Sequence, residues 1–478
     1  MNKYRIFISN EKVILRVLIE KEGKIDNIFI HKYDFEPDIG NIYKGRVEKF
    51  LYGLNSAFVN IGEMKSGFLQ LNKSEFYFSL EENEDISGHQ ILKEGKEVLV
   101  QICKPGEDEK SPKVTEKVVL PGRFFVLIPN LRIQKISKKI EDIREKTRLM
   151  KIFKKTLGKK FGFIIRTAAL NKKEFYIYRE IEHILNIWKR IKRDYKRKKT
   201  PSLLWKELPL YLKVLRDYVD ENCEFVEIDD ENIYREVVKY VNLFIPELKG
   251  KIYFYRNKIP MFVKYGFEEK FESFISKTVL LPSGGYLIIE KGKTLTAIDV
   301  NSGKMEKEDF EETIFKTNME AAEEIPRQIR CRNLSGLIIV DFIDMKGKFK
   351  EKVFKKFIEN IKGDKSRINI LSISKLGLVE MAREKNNYSI YNLLLKECPF
   401  CDGSGIEKGK EIVYIQLRKK IFEIFSNKAY NGKLEIEVSQ GLFEFIFKNQ
   451  LFKNFLYSDR IKFKVNGKLK EDEFKIFI

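Results

Sequence analysis

The sequence predicts a multidomain α/β protein, and three observations carry that prediction. At 478 residues the chain is too long for one hydrophobic core and should divide into roughly three or four domains. Short alternating segments over residues 39–118 read as a small β-barrel. Beyond about residue 276 strands and helices alternate, the pattern that packs helices over a sheet. Core material is not short, because hydrophobic residues make up 43% of the chain, with 38 Phe and 21 Tyr.

The formal net charge is +21. Such an excess is unusual for a plain metabolic enzyme and favours a polyanionic partner, nucleic acid first among them. A Lys-, Ile- and Phe-rich composition also arises in AT-rich genomes, so charge alone names no function. Five cysteines in so long a chain do not make a disulfide framework, which points to a reducing cytoplasm. The N-terminal "MNKYRIFISNEKVILRV" alternates like a strand and lacks a signal peptide's apolar core. No uncharged apolar run approaches the roughly 18 residues of a membrane span.

In the barrel region, "NIYKGRVEKFL", "SAFVNIG", "SGFLQL" and "EVLVQICK" are separated by turn residues. Tyr43, Phe58 and Phe68 interleave with Lys44, Arg46, Lys49 and Lys65, which suits base stacking with phosphate contacts and equally suits a filled barrel interior. Residues 119–217 begin with strand-like "RFFVLIPN", pass through "FGFIIRTAAL" and become a helix ending in "KRIKRDYKRKK", with eight of eleven residues basic. That run reads as a solvated helix face, and "TPSLLW" breaks the helix. In the α/β region "GYLIIEKGKTLTAIDVNSG" reads as two strands joined by a turn. The helix that follows places Phe310, Ile314, Ala321 and Ile325 on one face and is expected to be disturbed at Pro326. "SGLIIVDFIDM" reads as a buried strand, "KFKEKVFKKFIENIK" as an amphipathic helix and "RINILSIS" as a further strand.

Two of these strands end in acid. "LTAIDVNSG" enters Asp299, and strand periodicity puts Asn301 on the same face. In "LIIVDFIDM" four apolar residues lead into Asp341, with Asp344 three further on. A carboxylate against an apolar wall is costly unless paired or metal-bound. No histidine follows position 183, so a metal site here would be all oxygen, which selects Mg²⁺ or Mn²⁺ over zinc. With a metal, two carboxylates and an orienting amide form a phosphodiester-cleaving arrangement. Without one, the same aspartates serve as turn caps or lysine partners.

"CPFCDGSG" holds one Cys-x-x-Cys pair, Cys398 and Cys401, half of a four-thiolate zinc cage. The other cysteines, Cys103, Cys223 and Cys331, are single and scattered. A redox pair, a metal-free turn and a chance spacing remain open. Two copies of the chain, each giving both thiols, would complete a tetrahedral Cys₄ site about a two-fold axis.

Taken together these motifs resemble the ribonuclease E/G family, in order, through most of the chain. "GNIYKGRV", "SAFVNIG" and "GFL" resemble its S1 RNA-binding domain; "LPGRFFVLIP" and "IIRTAA" resemble its 5′-end sensor. The long stretch from "LPSGGYLIIE" to "GLIIVDFIDM" resembles its nuclease core, and "CPFCDGSG" its zinc link. The resemblance implies an RNase H-like subdomain from residues 1–38 and 218–275 and an S1 (OB-type) barrel over 39–118. It further implies a 5′-sensor domain over 119–217 and a DNase I-like nuclease over 276–397. A zinc link over 398–410 and a small C-terminal domain over 411–478 complete the scheme.

It implies Mg²⁺-dependent endonucleolytic hydrolysis of single-stranded RNA in ribosomal RNA processing and messenger decay, stimulated by a 5′-monophosphate end. Asp299 and Asp341 become the Mg²⁺ ligands, Asn301 a third catalytic residue that hydrogen-bonds to position Asp299 or to the scissile phosphate, and Asp344 a supporting residue. Arg166 and Thr167 become the 5′-phosphate grip, with Gly122 and Val126 giving main-chain contacts and Arg367 reaching in from the nuclease domain. Phe58 and Phe68 become the stacking rings and Lys110 a substrate contact. Zn²⁺ shared through Cys398 and Cys401 implies a cytoplasmic homodimer, and a tetramer if dimers pair again. Two departures stand out: Asn60 where the family commonly has Asp, and "NSGKMEKEDF" in place of an Arg-rich stretch. The chain stops at 478 without a long disordered tail, which resembles the G-type or a minimal form rather than the scaffold-bearing E-type. The competing reading is a non-catalytic S1-type RNA-binding or ribosome-associated protein, against which the joint presence of Asp299, Asn301 and Asp341 argues.

Overall fold

The computed structural model describes residues 3–33, 39–71, 93–106, 110–303, 310–374, 377–396, 398, 409–426, 430, 432–453, 455, 457–470 and 473–477. It forms two compact units, Met1–Leu394 and Leu395–Ile478.

The barrel closes because strand Ile42–Leu51 pairs with Ser56–Asn60 on one side and Glu97–Lys104 on the other, with Gly67–Gln70 and Lys113–Thr115 completing the circuit. Val47, Val59, Leu69, Val100 and Val114 fill it. Tyr43 is inside too, at 1% exposure, so it packs rather than stacks. Lys44 is also buried, paired with Glu97 at 2.8 Å and set against the Tyr195 ring, so its charge is used internally. The "SLLW" of the helix-breaking segment is itself a strand, Ser202–Trp205, added antiparallel to Ile42–Leu51.

A second sheet sets Phe125–Ile128 against Gly162–Ile165, with Gln134–Ile136 and Leu120–Pro121 at its edges. Helix Ile143–Leu157 and helix Glu174–Arg197 pack in the same core. The longer helix buries Ile177, Ile181, Ile184, Trp188 and Ile191, one stripe at helical spacing, and leaves its basic face to solvent. A third sheet joins the two ends of this region: Tyr4–Asn10 pairs antiparallel with Ile14–Lys21 and parallel with Cys223–Ile228. Lys24–Lys32 and Ile252–Phe254 are its edges.

The fourth sheet runs Thr278–Leu280, Tyr286–Lys291, Leu295–Asn301, Gly336–Asp341, Leu378–Arg383, Ile368–Ile373. Helices Phe310–Arg332 and Gly347–Ile361 cover one face, over a core that includes Ile298, Val300, Ile338 and Val340. Contrary to the sequence expectation, the first helix continues through Pro326 to Arg332. Ile325 and Ile329, flanking the proline, are both fully buried. That continuous apolar stripe offsets the roughly 3 kcal/mol an interior proline costs.

The second unit stacks helices Lys410–Ser426 and Gln440–Lys448 on a sheet of Leu434–Val438, Ile461–Val465 and Phe474–Phe477. Among the described residues no helix is long and apolar enough to cross a membrane.

Candidate active site

Strands Leu295–Asn301 and Gly336–Asp341 run parallel and in register, Leu295 beside Leu337 and Asp299 beside Asp341. Thr296, Ile298 and Val300 on one strand, and Ile338 and Val340 on the other, are buried. The two-residue period of a strand then turns Asp299 and Asp341 to the open face, side by side. Asn301 lies on that face as well, and its Nδ2 donates to Asp299 Oδ2 at 2.8 Å. The chain leaves through Gly303 at φ +70°, where a Cβ would stand 2.5 Å from the Gly284 carbonyl oxygen, so the "NSG" turn requires glycine.

Burial, and then the neighbouring Asp299 carboxylate, push the Asp341 carboxyl above its ordinary value. Two like charges so placed are stabilised by a cation between them. The cleft beside them, about 240 Å³, is walled by Phe342, Ile343, Met345, Val353 and Ile373. Asp344 stands at its rim, 93% exposed, paired with Lys350 Nζ at 2.8 Å, which holds its carboxyl below the usual range. Lys350 lines the same cleft and was not singled out by the sequence, where it is one of several lysines in "KGKFKEK". No group of three His, Cys, Asp or Glu side chains gathers for a metal among the described residues. The donors present are two carboxylates, one carrying an amide, an oxygen set that suits a hard dication keeping water and phosphate as its other ligands.

A second site lies at Arg166. Its Nη1 donates to the Gly122 carbonyl at 2.7 Å and to Asp217 Oδ1 at 2.7 Å. Burial would raise the Asp217 carboxyl, but Arg216 and Arg166 hold it below the ordinary range. Gly122 donates its own N–H to Phe125, so what it offers to Arg166 is the carbonyl. Val126 lies in strand Phe125–Ile128, opposite Pro121 and Ile164. Thr167 is exposed and opens a single turn of 3₁₀ helix. The turn at 122–124 is held from below by the buried Glu180, which accepts from Arg123 N at 2.6 Å and Phe124 N at 2.8 Å. From the turn after helix Gly347–Ile361 it is Lys365 that reaches this site, donating to the Asp217 main-chain carbonyl. Arg367, two residues on, is exposed, and its carbonyl accepts from Glu384 N. Asp217, Glu180 and Lys365 carry no local sequence signal.

On the barrel, Phe58 and Phe68 are cross-strand partners, half-buried, with ring centroids 5.6 Å apart in an edge-to-face pair. Lys110 is exposed. Cys398 is exposed as well; Cys401 lies outside the described residues.

The model of the Ribonuclease E/G family matches residues 119–386, which take in both the Arg166 site and the carboxylate pair. Ribonuclease G of Haemophilus influenzae is 32% identical over 446 residues, covering 89% of this chain and 91% of that protein. Ribonuclease G of Escherichia coli K12 is 32% identical over 427 residues, 87% of this chain and 86% of the relative. Ribonuclease E of Buchnera aphidicola is 34% identical over 418 residues, which is 86% of this chain but 43% of that longer protein. By the family match and by these full-length likenesses, the chain belongs to the ribonuclease E/G family.

Proposed function

We propose that the protein is a Mg²⁺-dependent endoribonuclease that cuts single-stranded RNA, is stimulated by a 5′-monophosphate end, and serves ribosomal RNA processing and messenger decay. The observation that carries this reading is the register pairing of Asp299 with Asp341 at the ends of two parallel strands, with Asn301 bonded to Asp299. Asp299 and Asp341 would hold Mg²⁺, which when bound lowers the pKa of water and neutralises charge on the phosphate. Asn301 keeps one Asp299 oxygen engaged and so orients the other. Hydrolysis leaves a 5′-phosphate downstream and a 3′-hydroxyl upstream.

Arg166 and Thr167 supply guanidinium and hydroxyl donors suited to a terminal phosphate. Phe58 and Phe68 offer a stacking surface for bases, and Lys110 an exposed cation for substrate contact. Cys398 and Cys401 from two chains would bind one Zn²⁺ and join a cytoplasmic homodimer, with Cys398 exposed as such sharing requires.

The deciding test is cleavage of a 5′-phosphorylated oligoribonucleotide with EDTA and again after Mg²⁺ is restored. Asp299→Asn or Asp341→Asn should abolish cleavage in Mg²⁺ while RNA affinity stays within about threefold, less than the tenfold that 1.4 kcal/mol represents. Undiminished cleavage by either variant, or by wild type in EDTA, overturns the reading.

A further inference from the structure

We propose that Lys350 is a further catalytic residue: when RNA enters the cleft its ammonium leaves Asp344 and donates to a non-bridging oxygen of the scissile phosphate, across from the carboxylate pair. This rests on the reading of Asp299 and Asp341 as the cleavage site.

The cleft lies at the carboxyl ends of two parallel strands, the place where open α/β sheets bind their ligands. Among the described residues its charged lining is three carboxylates, Asp299, Asp341 and Asp344, and one ammonium, Lys350. That ammonium is placed from three sides. Lys350 stands in the first turn of helix Gly347–Ile361, which follows the strand ending in Asp341 after a short loop. Its Nζ meets Asp344 Oδ1 at 2.8 Å. A Cβ at Gly377 would stand 3.9 Å from the same Nζ. Gly377 immediately precedes Leu378, the register partner of Asp341. The ammonium is therefore held at the end of the strand next to the one that carries Asp341.

The bond to Asp344 is easily given up. Asp344 is almost fully exposed, and an ion pair with so exposed a partner contributes little to stability. The Asp344 oxygen that meets Lys350 also accepts from the Met345 N–H at 3.0 Å, so it keeps a partner when the lysine leaves. Lys350 is 30% exposed, which leaves its stem against the cleft wall and its head able to turn to a new acceptor. A scissile phosphodiester enters with one negative charge, and its non-bridging oxygens gain more as water attacks. A cationic donor on those oxygens, in a cleft walled by apolar side chains, binds the transition state more tightly than the substrate. Its loss then falls on kcat. The ammonium keeps its proton throughout and contributes charge and one hydrogen bond.

The test measures kcat and KM on a 5′-phosphorylated oligoribonucleotide in Mg²⁺ for wild type, Asp299→Asn, Lys350→Ala, Lys350→Gln and Lys350→Arg, and for Lys350→Ala made on an Asp344→Asn background. Lys350→Ala and Lys350→Gln should each lower kcat about ten- to hundredfold, the worth of one hydrogen bond from a charged donor. Lys350→Arg should restore most of the loss. RNA affinity measured in EDTA should stay within about threefold of wild type in all three. On the Asp344→Asn background Lys350→Ala should cost the same factor as on wild type. A loss that disappears on that background makes Lys350 only the neutraliser of Asp344 and overturns the proposal. So does a roughly tenfold loss of RNA affinity in EDTA with kcat unchanged, which makes Lys350 a general RNA contact. If Asp299→Asn is inactive while both neutral Lys350 variants cleave like wild type, the carboxylate reading stands and this proposal falls. If Asp299→Asn cleaves like wild type, both fall together.

Discussion

The Asn301 amide donates to Asp299 Oδ2 at 2.8 Å, two residues along one strand and on the same face of the sheet. The bond settles which oxygen of Asp299 is left free beside Asp341. Replacing Asn301 with Ala removes the donor and lets the carboxylate turn. Replacing it with Asp removes the donor and adds a third negative charge. Asn301→Ala should cost about ten- to hundredfold in cleavage rate, the usual cost of losing a group that orients a metal ligand. Asn301→Asp should be the worse of the two at low Mg²⁺ and recover partly at high Mg²⁺. Single-turnover cleavage against Mg²⁺ concentration measures both, and a wild-type rate in Asn301→Ala would remove the orienting role.

Phe58 and Phe68 form one platform, since they are register partners with rings in contact. Each is half-buried, so truncation should weaken RNA binding more than folding. Phe58→Ala and Phe68→Ala should each weaken single-stranded RNA binding by roughly 1–3 kcal/mol, the range for loss of a stacked base. The double variant should lose less than the sum, because each ring supports the other. Equilibrium binding at fixed salt reports this; unchanged affinity in both single variants would place the RNA elsewhere on the barrel.

The parts of this architecture that were legible in the sequence are those fixed by short-range pattern. Asp299, Asn301 and Asp341 stood out because apolar residues lead into them and a two-residue period decides their face. What was hidden needs information from distant chain. Lys365 and Asp217 meet across 148 positions, and nothing in "GDKSR" distinguishes Lys365 from its neighbours. The sequence leaves Tyr43 equally a stacking ring and a filler of the barrel, and reads Lys44 as a phosphate contact, because alternation does not say which side of a strand becomes the inside of a closed barrel. Local pattern marks Ser202–Trp205 only as a helix break, because pairing with Ile42–Leu51 is what makes so short a segment a strand. Pro326 was expected to disturb its helix, and tertiary packing of the residues on either side overrode the local preference.

Cys398 is exposed, as a thiolate shared between two chains must be. If Cys398 and Cys401 complete one tetrahedral site per dimer, Cys398→Ser should release about one zinc per two chains and yield monomers, since two of the four ligands then become poor ones. Native mass spectrometry with zinc quantitation reads stoichiometry and assembly together. A dimer that persists without zinc would sink the shared-site proposal.

Glu180 links pH to the stability of the Arg166 site. Its carboxylate is buried and accepts from the backbone N–H groups of Arg123 and Phe124, next to the Gly122 carbonyl that holds Arg166. A Cβ at Gly122 would stand 2.8 Å from Glu180 Oε2 and 2.6 Å from Ile184 Cδ1, so the turn sits directly on this acid. Burial pushes the carboxyl up to about 7, against the pull of the two N–H groups and of Arg123 and Arg166. In the unfolded chain it returns to the ordinary value of 4.5. Between those two values the folded protein keeps a proton that the unfolded chain has released. Stability from this group is therefore complete below the unfolded value and is lost as pH rises through about 7. Glu180→Gln keeps the shape and cannot ionise, so wild type should lose melting temperature relative to the variant as pH rises from about 5 to 8. His183 lines the same small cavity, and burial lowers its pKa, which gives a slope of opposite sign. It is present in both proteins and cancels in the difference. Parallel melting curves across the range would mean that Glu180 stays ionised in the fold and that the two backbone bonds, rather than burial, govern it.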